Sequence, residues 1–286
     1  MKKNYFVQNM RPGLTFYELS FKQVNGERKR KFLDAGDPKP LGPVFYFKLN
    51  EEPGDIAIAI LDKDGNEIRN YSKEEMMLNA GTGGDFNTGL NKFVWDMRMN
   101  GVSRVPGRPA TTVIPIVPPG QYTVKLTVDG QSQTQDFNVF MSPKESYTQE
   151  QADVKFAFWM EMYNEAEART QKVLKAQAVK KEMAEKAEAT DNKKAKAQAE
   201  VIAQLVDSYE GAYVSTGRTL AEVINLPATI LFKMSFMSGI LDHSEGPVSG
   251  SMKTEFKELI EQADAVDNKF DSDLEKELRK FEKLIK

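Results

Sequence analysis

A β-sandwich followed by an α-helical bundle, an α+β multidomain chain, is the fold class this sequence predicts. Three observations lead there. Two β-prone stretches are each folded at an Asp-Gly pair, Asp64-Gly65 and Asp129-Gly130, the strongest short hairpin signal. Near Met141-Ser142-Pro143 the apolar period changes from two to the three-and-four steps of helices. The last stretch then holds one apolar seam to the end of the chain. The 286 residues suit two domains of ordinary size. The reading divides them into an extended segment and linker over 1–42, a sandwich over 43–141 and a bundle over 142–286.

Residues Tyr5 to Leu19 read as extended, with Tyr5, Val7, Phe16 and Leu19 as scattered apolar anchors around Arg11-Pro12-Gly13. Such a segment has no core of its own and must pack on a neighbour. Asn25 to Pro43, rich in charge, Gly and Pro, reads as a linker or long loop. Val44 to Leu49 is a strongly β-prone run. Ile56 to Leu61 alternates Ile with Ala, as a strand with one crowded face would. Glu67 to Tyr71 returns from the first Asp-Gly turn. Met76-Met77-Leu78 and Gly81 to Gly84 then read as a loop. The stretch Gly89 to Arg98 is taken as the central strand: Phe93, Trp95 and Met97 point to one side, Val94, Asp96 and Arg98 to the other. An aromatic pair on one face needs burial, so Trp95 is expected to be shielded. Asp96 and Arg98 are close enough to pair or to bridge a neighbouring strand. Five prolines between Asn100 and Pro119 exclude a central strand there. Tyr122 to Val128 alternates again, and its return strand runs to about Phe140. Short strands, hairpin turns and a Trp-bearing strand indicate an immunoglobulin-like or fibronectin-like sandwich.

Thr148 and Gln151 form a capping-box pattern that opens a long helix. Val154, Phe158, Met162 and Ala166 recur along it at i+4. Lys172 to Ala189 is mostly Ala, Lys and Glu, helix-prone but weakly apolar, so it is expected to project into solvent. Asp191-Asn192 breaks the run. A second helix carries Ile202, Leu205, Tyr209 and Tyr213 before Gly217. Leu226 to Leu241 is the most apolar stretch, with Pro227 placed as a first-turn residue. The last helix sets Met252, Phe256, Leu259, Ala263, Val266, Phe270, Leu274, Leu278, Phe281 and Ile285 along one seam, the pattern of a three- or four-helix bundle.

Composition narrows function more than it names it. Thirty-nine basic against 42 acidic residues leave a net charge of −3, which argues against a nucleic-acid partner. Glu27-Arg28-Lys29-Arg30-Lys31 is the one basic cluster and is read as a solvated loop. There is no cysteine, so disulfides and thiolate zinc sites are ruled out. Met1-Lys2-Lys3 has the charge of a signal-peptide start, but Asn4, Gln8, Asn9 and Arg11 interrupt any apolar core. No apolar run reaches the roughly 18 residues of a membrane span, so membrane insertion is not expected.

Chemistry is sparse. One histidine, His243, cannot build a triad or a multi-histidine metal site and is read as a helix-end cap or solvated group. Asp62-Lys63-Asp64-Gly65-Asn66 starts like a calcium loop, but its Gly is fourth where an EF-hand needs it sixth, so a hairpin turn explains it. Gly81-Thr82-Gly83-Gly84 lacks the Lys-Ser/Thr of a phosphate loop. No carboxylate pair stands out for glycoside hydrolysis. No catalytic residue, cofactor site or metal site is assigned. The apolar helix from Leu226 is apolar around its whole circumference, which offers Phe232, Phe236 and Met237 as partner-binding residues.

Gly89-Leu90-Asn91-Lys92-Phe93-Val94-Trp95-Asp96-Met97-Arg98 resembles the Gly-x-Asn-x-Phe-x-Trp-Asp-x-Arg signature near the C-terminal end of bacterial sortilin-like, BNR-repeat β-propeller proteins, often called glycosyl hydrolase-like. Val117 to Leu126 is similar to the Pro-Pro-Gly-x-Tyr-x-Val-x-Leu strand that follows in them. Val44 to Leu49 and Ile56 to Gly65 resemble their preceding strands. Leu226-Pro227 and the last helix resemble their helical tail, and Phe6 to Tyr17 the segment leaving the last blade. The propeller itself is missing, so a gene fragment or a split gene with a separate propeller chain is expected. The resemblance implies a non-catalytic accessory module docking on a β-propeller domain or chain in an extracytoplasmic setting. With no signal peptide read, the cytoplasm stays open. The alternatives are part of a polysaccharide- or peptide-processing hydrolase, or a carbohydrate-binding sandwich, which needs Trp95 exposed. Ligand and oligomeric state are not specified by any of these residues.

Overall fold

The computed structural model describes residues 4–7, 21–24, 27–30, 42–78, 86–141, 148–215, 227–244 and 246–285. In chain order the strands are β1 (Asn4–Val7), β2 (Phe21–Val24), β3 (Glu27–Arg30), β4 (Val44–Leu49), β5 (Ile56–Leu61), β6 (Glu67–Tyr71), β7 (Gly89–Val94), β8 (Gly120–Val128) and β9 (Gln131–Met141). A short helix, α1 (Lys73–Leu78), precedes β7, and four long ones follow β9: α2 (Gln149–Glu188), α3 (Lys193–Tyr213), α4 (Ile230–His243) and α5 (Gly250–Ile285). The chain is thus mixed, with antiparallel sheets first and a helical region after them. It divides into two compact units. One takes the described residues of 1–100, 116–152 and 242–245; the other takes 101–115, 153–241 and 246–286.

In the first unit β5, β6, β8 and β9 form an antiparallel sheet in the order β9-β8-β5-β6, and β1 adds to β9 in parallel. The Ile-Ala alternation explains the place of β5. Ile56, Ile58 and Ile60 are fully buried, so a strand with so crowded a face sits inside the sheet, between β6 and β8. Both Asp-Gly hairpins form. Asp129 and Gly130 have φ of 47° and 82°, the two positive values a two-residue turn matched to strand twist requires. At the other turn, Asp62 Oδ1 accepts from the backbone N–H groups of Asp64 and Asn66, and Oδ2 from the Asn66 amide. The side chain closes the turn as the backbone would.

β4 and β7 form a separate antiparallel pair whose side chains share a core with the larger sheet. Phe45 meets Phe137 edge-on at 5.0 Å, and Trp95 meets Tyr122 and Phe137 edge-on at 5.7 and 5.9 Å. Each large side chain buried here contributes roughly 1.5–3 kcal/mol. Phe93, Trp95 and Met97 all reach this core, as their spacing predicts. The strand, however, is neither central nor as long as expected. β7 pairs only with β4 among the described residues and ends at Val94. Met97 has φ of 62°, Arg98 N–H donates to Asp96 Oδ1, and the Trp95 indole donates to the Arg98 carbonyl. Those bonds turn the chain before Arg98, which bridges Ile116. Asp96 and Arg98 do not form a side-chain pair: Asp96 accepts from the Tyr71 hydroxyl, and Arg98 Nη2 donates to both oxygens of Asp242 at 2.9 and 2.8 Å.

Two other expectations change in this unit. Residues Glu27–Arg30 of the basic cluster form a strand against Phe21–Val24 rather than a loop. Part of the expected loop after β6 is α1, opened by a reciprocal cap in which Glu75 N–H donates to Ser72 Oγ and Ser72 N–H to Glu75 Oε2. It buries Met76. Gly81–Gly84, Arg11 to Gly13, Gly217 and Leu226 lie outside the described residues.

The Thr148–Gln151 cap forms as read, Thr148 N–H to Gln151 Oε1 at 2.9 Å and Gln151 N–H to Thr148 Oγ1 at 3.2 Å. These two residues stand in the first unit, and the helix they open runs on into the second. Asn192 breaks the chain and caps α3, its side chain accepting from Lys194 and Ala195 N–H. Lys172 to Ala189 does not project into solvent: Val173, Ala176, Met183 and Ala187 are buried. Pro227 lies three residues before α4 rather than in its first turn. The seam of α5 packs through Phe256, Leu259, Ala263, Phe270 and Phe281, with Phe270 stacked on Tyr209 at 3.8 Å. Residues 101–115, placed with the sandwich by the sequence reading, pack on these helices instead. Val102, Val105 and Val113 are buried, and Thr112 N–H donates to Ser235 Oγ.

Candidate functional site

Helix α4 is apolar on more faces than its unit can cover. Ile230, Leu231, Met234, Met237 and Leu241 turn inward. Phe232, Phe236 and Ile240 fall at i, i+4 and i+8 and form one outward row, 44%, 66% and 44% exposed. Met237 does not belong to that row. It lies about 140° around the helix from Phe232 and is only 7% exposed. Of the three partner-binding candidates, Phe232 and Phe236 are on the surface and Met237 is in the core. Ile240 is the member the sequence reading missed; the i+4 step from Phe236 is the signal that finds it.

The row is held rigidly. The Trp159 indole donates to Ser238 Oγ at 2.8 Å on the buried face. Ser235 Oγ donates to the Leu231 carbonyl while accepting from Thr112 N–H. With the helix beneath it anchored in this way, the row gives up little backbone freedom when covered.

The strongest electrostatics of the helical unit lie elsewhere, around Asp267 of α5. This buried carboxylate accepts from the Tyr209 and Tyr213 hydroxyls at 2.7 and 2.6 Å and from Arg169 at 2.6 Å, with Lys172 at 3.2 Å. Burial alone would raise its pKa. The two hydroxyls, the guanidinium and the ammonium outweigh that and hold it below the usual carboxylate range. Burial, and then Asp267 itself, push both tyrosines above the normal phenol range. Every oxygen is occupied by protein, so the cluster locks α2, α3 and α5 together and presents no free reacting group. Glu167 is similar. Burial would raise its pKa, but Ser103 N–H at 2.6 Å, Ser103 Oγ at 2.7 Å and the Gln171 amide hold it down.

The remaining singled-out residues are placed as follows. His243 is the exposed last residue of α4. Trp95 is wholly buried, so the carbohydrate-binding reading loses the exposed ring it needs. Among the described residues no cluster of three metal-ligating side chains occurs, and no helix is long and apolar enough to cross a membrane. No protein-family model and no curated protein matches this chain.

Proposed function

We propose that this chain is a non-catalytic docking module, an immunoglobulin-like β-sandwich joined to an α-helical bundle. Its partner is a β-propeller domain or chain of the sortilin-like, BNR-repeat kind. The observation that carries the docking role is the exposed row Phe232, Phe236 and Ile240, with Phe236 at its centre. Aromatic side chains at the middle of a patch are the usual anchors of protein interfaces. The row is also the i, i+4, i+8 ridge that a helix lays into an apolar groove. The sandwich is supported by the core that the β4–β7 pair shares with the larger sheet. The propeller is supported by the strand motifs from Gly89 and Val117 alone.

Calorimetric titration of the full chain with a propeller protein of that kind from the same cells tests the proposal. A saturable complex is expected, weakened at least about tenfold by Phe236→Asp with no fall in melting temperature. No complex, or one of equal affinity with the variant, overturns it.

A further inference from the structure

A second site lies within the helical unit and is independent of the docking row. The loop Pro106-Gly107-Arg108, α2 and α3 line an open cleft of about 510 Å³, bordered by Arg108. Glu210 of α3 is almost completely buried, and each of its oxygens is taken: Oε1 by Arg108 Nε, Oε2 by the Gln177 amide at 2.9 Å. Arg108 is therefore gripped by its Nε edge, and the orientation of its planar fork is fixed. Among the described residues, no acceptor engages the two Nη groups, and Arg108 borders the cleft.

Two lysines add to the field. Lys180 is tied to Asp207 at 2.5 Å, whereas Lys181 is 80% exposed with only Glu185 near it, at 3.9 Å. The lining thus holds three cations against two carboxylates, in a chain of net charge −3. A guanidinium whose Nε edge is neutralised by a buried carboxylate keeps its Nη pair for a planar two-oxygen acceptor, with its orientation already set.

We infer that this cleft binds a small anion through the Nη edge of Arg108, with Lys181 closing over it. The ligand class is a carboxylate or phosphate group with two oxygens to offer. Arg108 and Lys181 are binding residues; Glu210 and Gln177 are positioning residues. Nothing in this assignment depends on the docking role of α4.

The test titrates the full chain, at low ionic strength, with acetate and separately with inorganic phosphate, following backbone amide shifts by NMR. Saturable shifts at Gly107, Arg108 and the neighbouring α2 and α3 amides are expected with at least one of the two, and which one saturates first identifies the group. Arg108→Lys keeps the charge but loses the fork, and is expected to weaken binding at least about tenfold. Because that change also disturbs a buried partner, Lys181→Ala provides a second reading on a side chain that does not hold the fold, with an expected loss of about two- to fivefold. Non-saturating shifts with both anions overturn the assignment. So does saturable binding that neither variant alters.

Discussion

At the residue scale a buried carboxylate, Asp267, ties three helices of the helical unit together. Removing Asp267 takes the acceptor of the Tyr209 hydroxyl, while Tyr213 keeps the Ala263 carbonyl and Arg169 keeps Glu165 and Asp264. Leaving a buried hydroxyl without its acceptor costs about 1–3 kcal/mol, so Asp267→Ala is expected to lose that much in urea unfolding. The sign of the pH dependence follows from its lowered pKa. The unfolded chain takes up the proton first, near 3.8, so the stabilisation is complete above that pH and fades as pH falls toward the lower folded value. Asp267→Asn should flatten that acid limb. The same cluster predicts an alkaline signature. Tyr209 and Tyr213, raised by burial and Asp267, and Tyr71, raised by burial and Asp96, should stay protonated through pH 10 to 11, where free phenols ionise. Ultraviolet titration should therefore show at least three of the nine tyrosines ionising only when the chain unfolds. Asp267 was not legible in advance. It sits in a run of charged residues, and nothing in spacing distinguishes it from the solvated Asp264 and Asp271.

At the scale of elements, caps and turns were the most legible features, because their bonds close within a few residues. Thr148 with Gln151, Asn192, Asp64-Gly65 and Asp129-Gly130 all work as local chemistry dictates. Thr148→Ala should cost about 1 kcal/mol, measured as a shift of the thermal or urea midpoint at the start of α2. Ser72 with Glu75 is the same signal, followed by only six helical residues. The course of the chain at β7 was misread for the opposite reason. Its alternation continues to Arg98, but a close approach decides where the strand ends. Gly42, at φ of 141°, lies so near that a Cβ there would stand 1.9 Å from the Trp95 carbonyl oxygen. Gly42→Ala combines that clash with backbone strain and is expected to prevent native packing around Trp95, seen as a red-shifted, exposed tryptophan emission.

At the scale of the whole molecule each compact unit contains one tryptophan, Trp95 in the first and Trp159 in the second, both buried. Trp159→Phe leaves the sheets as reporter and Trp95→Phe leaves the helices. On these backgrounds Asp267→Ala should lower the helical transition by more than the sheet transition, because its bonds all lie in the helical unit. Equal shifts would mean that the two units unfold as one cooperative body. Phe236→Asp is expected to leave both transitions within about 0.5 kcal/mol of the parent, as an exposed substitution does, so that any loss of binding reports the surface itself.

The sequence by itself determined what is local or periodic: the change from strands to helices, both Asp-Gly hairpins, the cap of α2, the break at Asp191-Asn192, the seam of α5 and the burial of Phe93 and Trp95. Each follows from spacing along one element. Tertiary structure decided what depends on which faces remain uncovered and which charges meet. It put residues 101–115 with the helices, gave Arg98 to Asp242 rather than Asp96, packed the alanine-rich half of α2, and sorted the apolar faces of α4 into an inward Met237 and an outward Phe232, Phe236 and Ile240. Hydrophobic burial is non-directional, so a sequence can show that a face is apolar without showing what lies against it.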